Sequence, residues 1–96
     1  MPFCLSVSYF APHAEDSHPE QFLPQEWSAE FYESTEIPMP PTHPLVEDKA
    51  YRALPHFLAQ DENEGRVRFR WRFDTPEKYE GMMKRYYRLI TGSVEP

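Results

Sequence analysis

Glycine, cysteine and long apolar runs are all scarce in this chain, and each scarcity removes a class of function. Three glycines, Gly65, Gly81 and Gly92, are too few and too scattered to build the usual glycine-rich phosphate cradle. A single cysteine, Cys4, rules out an internal disulfide framework and fits a reducing compartment. It reads as a small half-buried strand residue, not as a reactive thiol. No stretch approaches the roughly 20 apolar residues of a membrane span. The opening "MPFCLSVSYFAPHAED" lacks the basic start and continuous apolar run of a signal peptide. A cytoplasmic protein without membrane association is the resulting expectation.

Basic residues are also missing from most of the chain. Residues 1 to 65 hold twelve acidic side chains against only Lys49 and Arg52, whereas residues 66 to 96 hold eight basic and four acidic ones, within a net charge of -6. The two parts are suited either to face one another or to face partners of opposite charge.

What is present in quantity is aromatic. At 96 residues, 16% of them Phe, Trp or Tyr, the chain has enough large rings for one core and is read as a single domain over 1–96. "FCLSVSYF" alternates Phe3, Leu5, Val7 and Tyr9 with Cys4, Ser6 and Ser8, the period of a half-buried strand. "GRVRFRWRFD" repeats that period, with Arg66, Arg68, Arg70 and Arg72 on one parity and Val67, Phe69, Trp71 and Phe73 on the other. It is read as a second strand whose odd residues are core. "PQEWSAEFYEST" suits a strand or a helix equally, since Trp27, Ala29 and Phe31 alternate while Leu23, Trp27 and Phe31 stand four apart.

Eight of the 11 prolines fall between residues 12 and 55, which makes "EIPMPPTHP" an extended connector. Thr42 caps the helical period that follows, with Val46, Ala50, Leu54, Phe57 and Leu58 on one face and a break at Pro55. "DENEG" is read as a polar turn using Gly65. After it, "DTPEKYEGMMKRYYRLI" carries caps at Asp74 or Thr75, Pro76 in the first turn and an apolar face of Tyr79, Met82, Met83, Tyr86 and Ile90. "TGSVEP" is expected to fray. The elements add up to an α+β fold: a small antiparallel sheet of two to four strands, packed on one face by one or two helices, with a long proline-rich connector.

Pairing of the two strands would set the four arginines beside Cys4, Ser6 and Ser8, where an anion would relieve their mutual repulsion. Three candidates compete to supply it. The first is the chain's own Glu26, Glu30, Glu33 and Glu36. The second is a protein partner, because Arg, Tyr and Trp dominate interface hot spots. The third is nucleic acid, which the alternation disfavours by sending Phe69 and Trp71 to the opposite face from the arginines. Tyr86 and Tyr87 point about 100° apart on a helix, so one of them, Tyr87, is assigned to a surface contact.

"HAEDSH" offers His13, Glu15, Asp16 and His18, but its spacing matches no metal loop, and no nucleophile with its base is apparent. No catalytic residue, metal or cofactor is therefore assigned. The function expected is a non-catalytic interaction module, of inhibitor, immunity or anti-defence type, that occupies the basic surface of a protein partner. Its contact residues are Glu26, Glu30, Glu33, Glu36, Arg66, Arg68, Arg70, Arg72 and Tyr87. Anion or nucleic-acid binding through Arg66 to Arg72 and the basic side of the last helix is the alternative, followed by a small enzyme. A homodimer is compatible with either of the first two.

Overall fold

A computed structural model of the chain describes residues 1–42 and 49–94. Its regular structure is helical: α1 (Lys49–Arg52), α2 (His56–Ala59), α3 (Glu64–Arg72) and α4 (Pro76–Val94), preceded by a 3-10 turn at Glu26–Ser28. Two compact units share the chain, one made of Met1–Glu33 with Lys84–Pro96, the other of Ser34–Met83, so that α4 contributes to both.

No strand occurs among the described residues, which corrects the expected α+β fold with its antiparallel sheet. Residues 3 to 9 make no ladder, and the arginine segment is helix α3. A strand needs a neighbour to satisfy its backbone N–H and C=O groups, while a helix satisfies its own. Without the first strand the second has no partner, and its arginines are good helix formers. Local contacts then favour the helix. Asn63 Oδ1 accepts from Gly65 N at 3.0 Å as the N-cap, and Glu64 pairs with Arg68 one turn on at 2.7 Å. Gly65 thus lies inside the first turn with no positive φ, in place of the left-handed turn expected of it.

The odd residues are not the core of this segment. Trp71 is exposed, while the even-numbered Arg66 is only 2% exposed and is the largest fully buried side chain described. Its guanidinium carbon stands 4.5 Å from the centre of the Tyr51 ring and 5.7 Å from that of Phe69. Stacking on rings, with Asp61 4.0 Å away, offsets the cost of burying the charge. α1 and α2 join the same unit through Tyr51 Oη, which donates to Leu58 O at 3.0 Å. Pro55 separates these two short helices, as its missing N–H requires. Of the helical reading that began at Thr42, residues 43–48 lie outside the described residues.

α4 starts where its sequence signals place it. Thr75 Oγ1 accepts from Lys78 N at 3.2 Å, and Pro76 opens the first turn. Its buried positions are Met82, Leu89 and Gly92, so the inward stripe is rotated from the expected one and leaves Ile90 exposed. The helix also runs on through Thr91–Val94 instead of fraying. Gly92 explains the extension: a Cβ there would lie 2.9 Å from Ser28 Oγ and 3.5 Å from Gln25 Cγ. Ser28 is fully buried and hydrogen-bonded to Gln25 O, so α4 needs a residue without a side chain where the 3-10 turn meets it.

Gly92→Ala should therefore destabilise the protein by about 1–3 kcal/mol through overpacking. Gly81→Ala in the same helix meets nothing within 4 Å and should stabilise by about 0.5–1 kcal/mol. Urea unfolding of the two variants checks both signs.

Candidate functional site

The segment from Ala11 to Glu33 packs on the second half of α4, and charge sets its position. Arg88, with its side chain 14% exposed, donates through Nε to Phe31 O at 2.6 Å and through Nη2 to Glu33 Oε2 at 2.8 Å. Lys84 Nζ donates to Glu33 O at 3.0 Å, and Arg85 stands 3.6 Å from Glu20 Oε1. Lys84, Arg85 and Arg88 are thus all turned toward the segment that crosses them.

Rings complete the attachment. Tyr32 is held at φ 63, a left-handed conformation that costs a non-glycine residue about 1–3 kcal/mol unless its surroundings impose it. Its hydroxyl is 2.7 Å from Thr91 Oγ1, and its ring centre is 5.8 Å from that of Tyr87. From Tyr32 a line of ring contacts runs outward to Phe31 at 6.4 Å and on to Trp27 at 5.6 Å, edge to face. Inward it passes from Tyr87 to Tyr86 at 6.5 Å, and then to Phe22 at 5.4 Å. Trp27, Phe31, Tyr32 and Tyr87 are nevertheless exposed, with Trp27 Nε1 donating to Gln25 Oε1 at 2.6 Å. Rings fixed in position and left open to water are suited to contact a partner, because little ordering entropy remains to be lost.

Of the residues expected to act together, Glu26, Glu30, Glu33 and Tyr87 fall in this unit. Glu26 and Glu30 are exposed and make no ion pair among the described residues, and they alternate in sequence with Trp27 and Phe31. Glu33 is held by Arg88, yet its side chain remains 83% exposed. Glu36 belongs to the other unit and is exposed there. Trp27, Phe31 and Tyr32 join these residues without being among the contacts expected from the sequence. Their signal is the interleaving of rings and carboxylates in "EWSAEFYE".

The arginines do not form one row. Arg66 and Arg70 share a side of α3 with Asp61, whose Oδ1 is 4.0 Å and 3.6 Å from them and 3.3 Å from Arg52. Arg70 Nη2 also donates to Asp61 O at 2.6 Å. Arg68 is bound by Glu64 through Nε at 3.0 Å and Nη2 at 2.7 Å, and Arg72, half-buried, is engaged as well. Among the described residues Arg66, Arg68 and Arg70 thus meet Asp61 and Glu64, and not Glu26, Glu30, Glu33 or Glu36.

Among the described residues no three His, Cys, Asp or Glu side chains come together to hold a metal ion. A cleft of about 180 Å³ lies between Phe10, Ala11, His13, Glu15, Gln21, Leu23 and Leu89. It is smaller than the roughly 300–1,000 Å³ typical of small-molecule sites. Among the described residues no helix is long and apolar enough to cross a membrane. No family model, curated protein or solved structure matches the chain.

Arg88→Met keeps the apolar stem but removes charge-assisted bonds to a main-chain oxygen and a carboxylate, and should cost about 1.5–3 kcal/mol in urea unfolding. Glu33→Gln touches only the exposed end of that pair and should cost less than about 1 kcal/mol.

Proposed function

We propose that the protein acts without catalysis, as an interaction module in the cytoplasm whose acidic aromatic face occupies a basic surface of a protein partner. The observation that carries this reading is the face built by Glu26, Trp27, Glu30, Phe31, Tyr32 and Tyr87. Its rings are exposed, and Glu26 and Glu30 are left without counter-ions among the described residues. Lys84, Arg85 and Arg88 are spent inside the unit, so the outward field of this face is negative. A lysine- or arginine-rich surface would meet carboxylates that steer its approach and rings that accept its cations.

An inhibitor, immunity or anti-defence protein would use such a face to compete for a surface that otherwise holds nucleic acid. Direct nucleic-acid binding through α3 has less support. Arg66 is buried, and Arg68 and Arg70 already hold carboxylates that a phosphate would have to displace.

Partners captured on the immobilised full chain from the source organism, followed by affinity measurement with the purified partner, test the proposal. Trp27→Ala should weaken binding by about 30-fold or more if the ring is a hot spot. The pair Glu26→Gln and Glu30→Gln should weaken it further and flatten its salt dependence. Unchanged affinity in both variants, or a captured partner with no basic surface, would remove this face from the account.

A further inference from the structure

Residues 1–9 run without helix, turn or bend, and every one of them is exposed. Phe3 is 90% exposed, and Leu5, Val7 and Tyr9 are also open to water. Among the described residues none of residues 1–9 makes a hydrogen bond. The segment is therefore a strand by pattern, with its ladder groups unmet and its apolar face uncovered. Such an edge is a template for pairing with another chain. A period of two calls for a sheet and not for a helix groove, and no strand among the described residues is available to provide one.

The sequence of this segment is a palindrome in residue class. "FCLSVSY" reads aromatic, small, aliphatic, serine, aliphatic, small, aromatic about Ser6. A two-fold interface requires that kind of self-complementarity, since each copy must offer what the other accepts. We propose that residues 3–9 pair antiparallel with the same residues of a second copy, with Ser6 opposite Ser6. Phe3 then faces Tyr9, Leu5 faces Val7, and Cys4 faces Ser8, so that the large apolar side chains of both copies share one side of the ribbon.

Charge favours a second copy as the occupant. In a chain of net charge -6 the first charged side chain is Glu15, so this is the stretch where two copies approach with least repulsion. The aromatic rings of Phe3 and Tyr9 in two copies, at roughly 150–250 Å² each when fully covered, set a ceiling of about 600–1,000 Å² before Leu5 and Val7 are added. An open ribbon covers part of this, which places the contact near or below the roughly 1,000 Å² of a stable interface. A two-stranded ribbon is marginal by itself, so the dimer is expected to be weak and to form in the micromolar range.

The register gives the experiment its specificity. Facing residues of an antiparallel pair have Cα atoms about 4.5–5.5 Å apart, within disulfide range. The two Cys4 residues would be offset by four positions along the ladder, about 13 Å, and could not be bridged. Under mild oxidation at high micromolar concentration, full-length Ser8→Cys should give a covalent dimer through Cys4 of one copy and the introduced thiol of the other. The wild-type chain should give none. Sedimentation should show a concentration-dependent dimer that Leu5→Lys with Val7→Lys abolishes. Leu5 and Val7 are both exposed and lie outside every helix, so helical circular dichroism should be unchanged. Four outcomes would overturn the proposal: a monomer at all concentrations, a dimer that survives the two lysines, wild-type Cys4 crosslinking as readily as Ser8→Cys, or no covalent dimer from Ser8→Cys. The acidic aromatic face involves other residues and stands or falls by its own test.

Discussion

Arg88 fixes the surface on which the proposed function depends. One guanidinium, largely withdrawn from water, holds both the carbonyl of Phe31 and the carboxylate of Glu33. Between these two anchors the chain has to turn at Tyr32, and it does so in a left-handed conformation that a tyrosine rarely adopts. The Tyr32 hydroxyl beside Thr91 and its ring against Tyr87 hold it there. Phe31 and Trp27 are then fixed outside, edge to face, with Glu26 and Glu30 beside them. A face with so little freedom left in its rings loses little entropy when a partner covers it.

The other unit solves a charge problem locally. α3 carries four arginines in nine residues, and three of them meet carboxylates close by: its own first residue, Glu64, and Asp61 just before it. Asp61 gathers Arg52, Arg66 and Arg70, and Glu64 takes Arg68. Burying Arg66 against Tyr51 makes a guanidinium serve where an aliphatic side chain would be usual. Arg66, Arg68 and Arg70 are thereby engaged within their own unit, without drawing on Glu26 or Glu30.

α4 was legible because its signals are local. The Thr75 cap, Pro76 and a period near 3.6 need nothing from the rest of the chain. The strand reading of residues 65 to 74 failed because alternation has meaning only when a neighbour pairs with it, and residues 3 to 9 remain unpaired. Burial of Arg66 depends on Tyr51 and Asp61, which no periodicity in α3 can announce. The turn at Tyr32 was equally hidden, since no glycine or asparagine marks it. Charge made Glu26, Glu30 and Glu33 visible as contact candidates, whereas the placement of Trp27 and Phe31 beside Tyr32 and Tyr87 depends on the Arg88 anchor. The rotation of the buried stripe to Leu89, with Ile90 outside, follows from Ser28 docking at Gly92, a contact between residues 64 positions apart.

Two parts of the first unit thus carry different chemistry: an acidic aromatic face built on α4, and an exposed segment of uncharged side chains, residues 1–9, that ends before the first carboxylate. Hydrogen-exchange mass spectrometry of the full chain, free and bound to its captured partner, shows whether the acidic aromatic face is the one that binds. Binding through that face gives new protection concentrated in residues 26–33 and in the α4 turns that hold Tyr87 and Arg88. Protection confined to α3, with residues 26–33 exchanging as in the free protein, would contradict it.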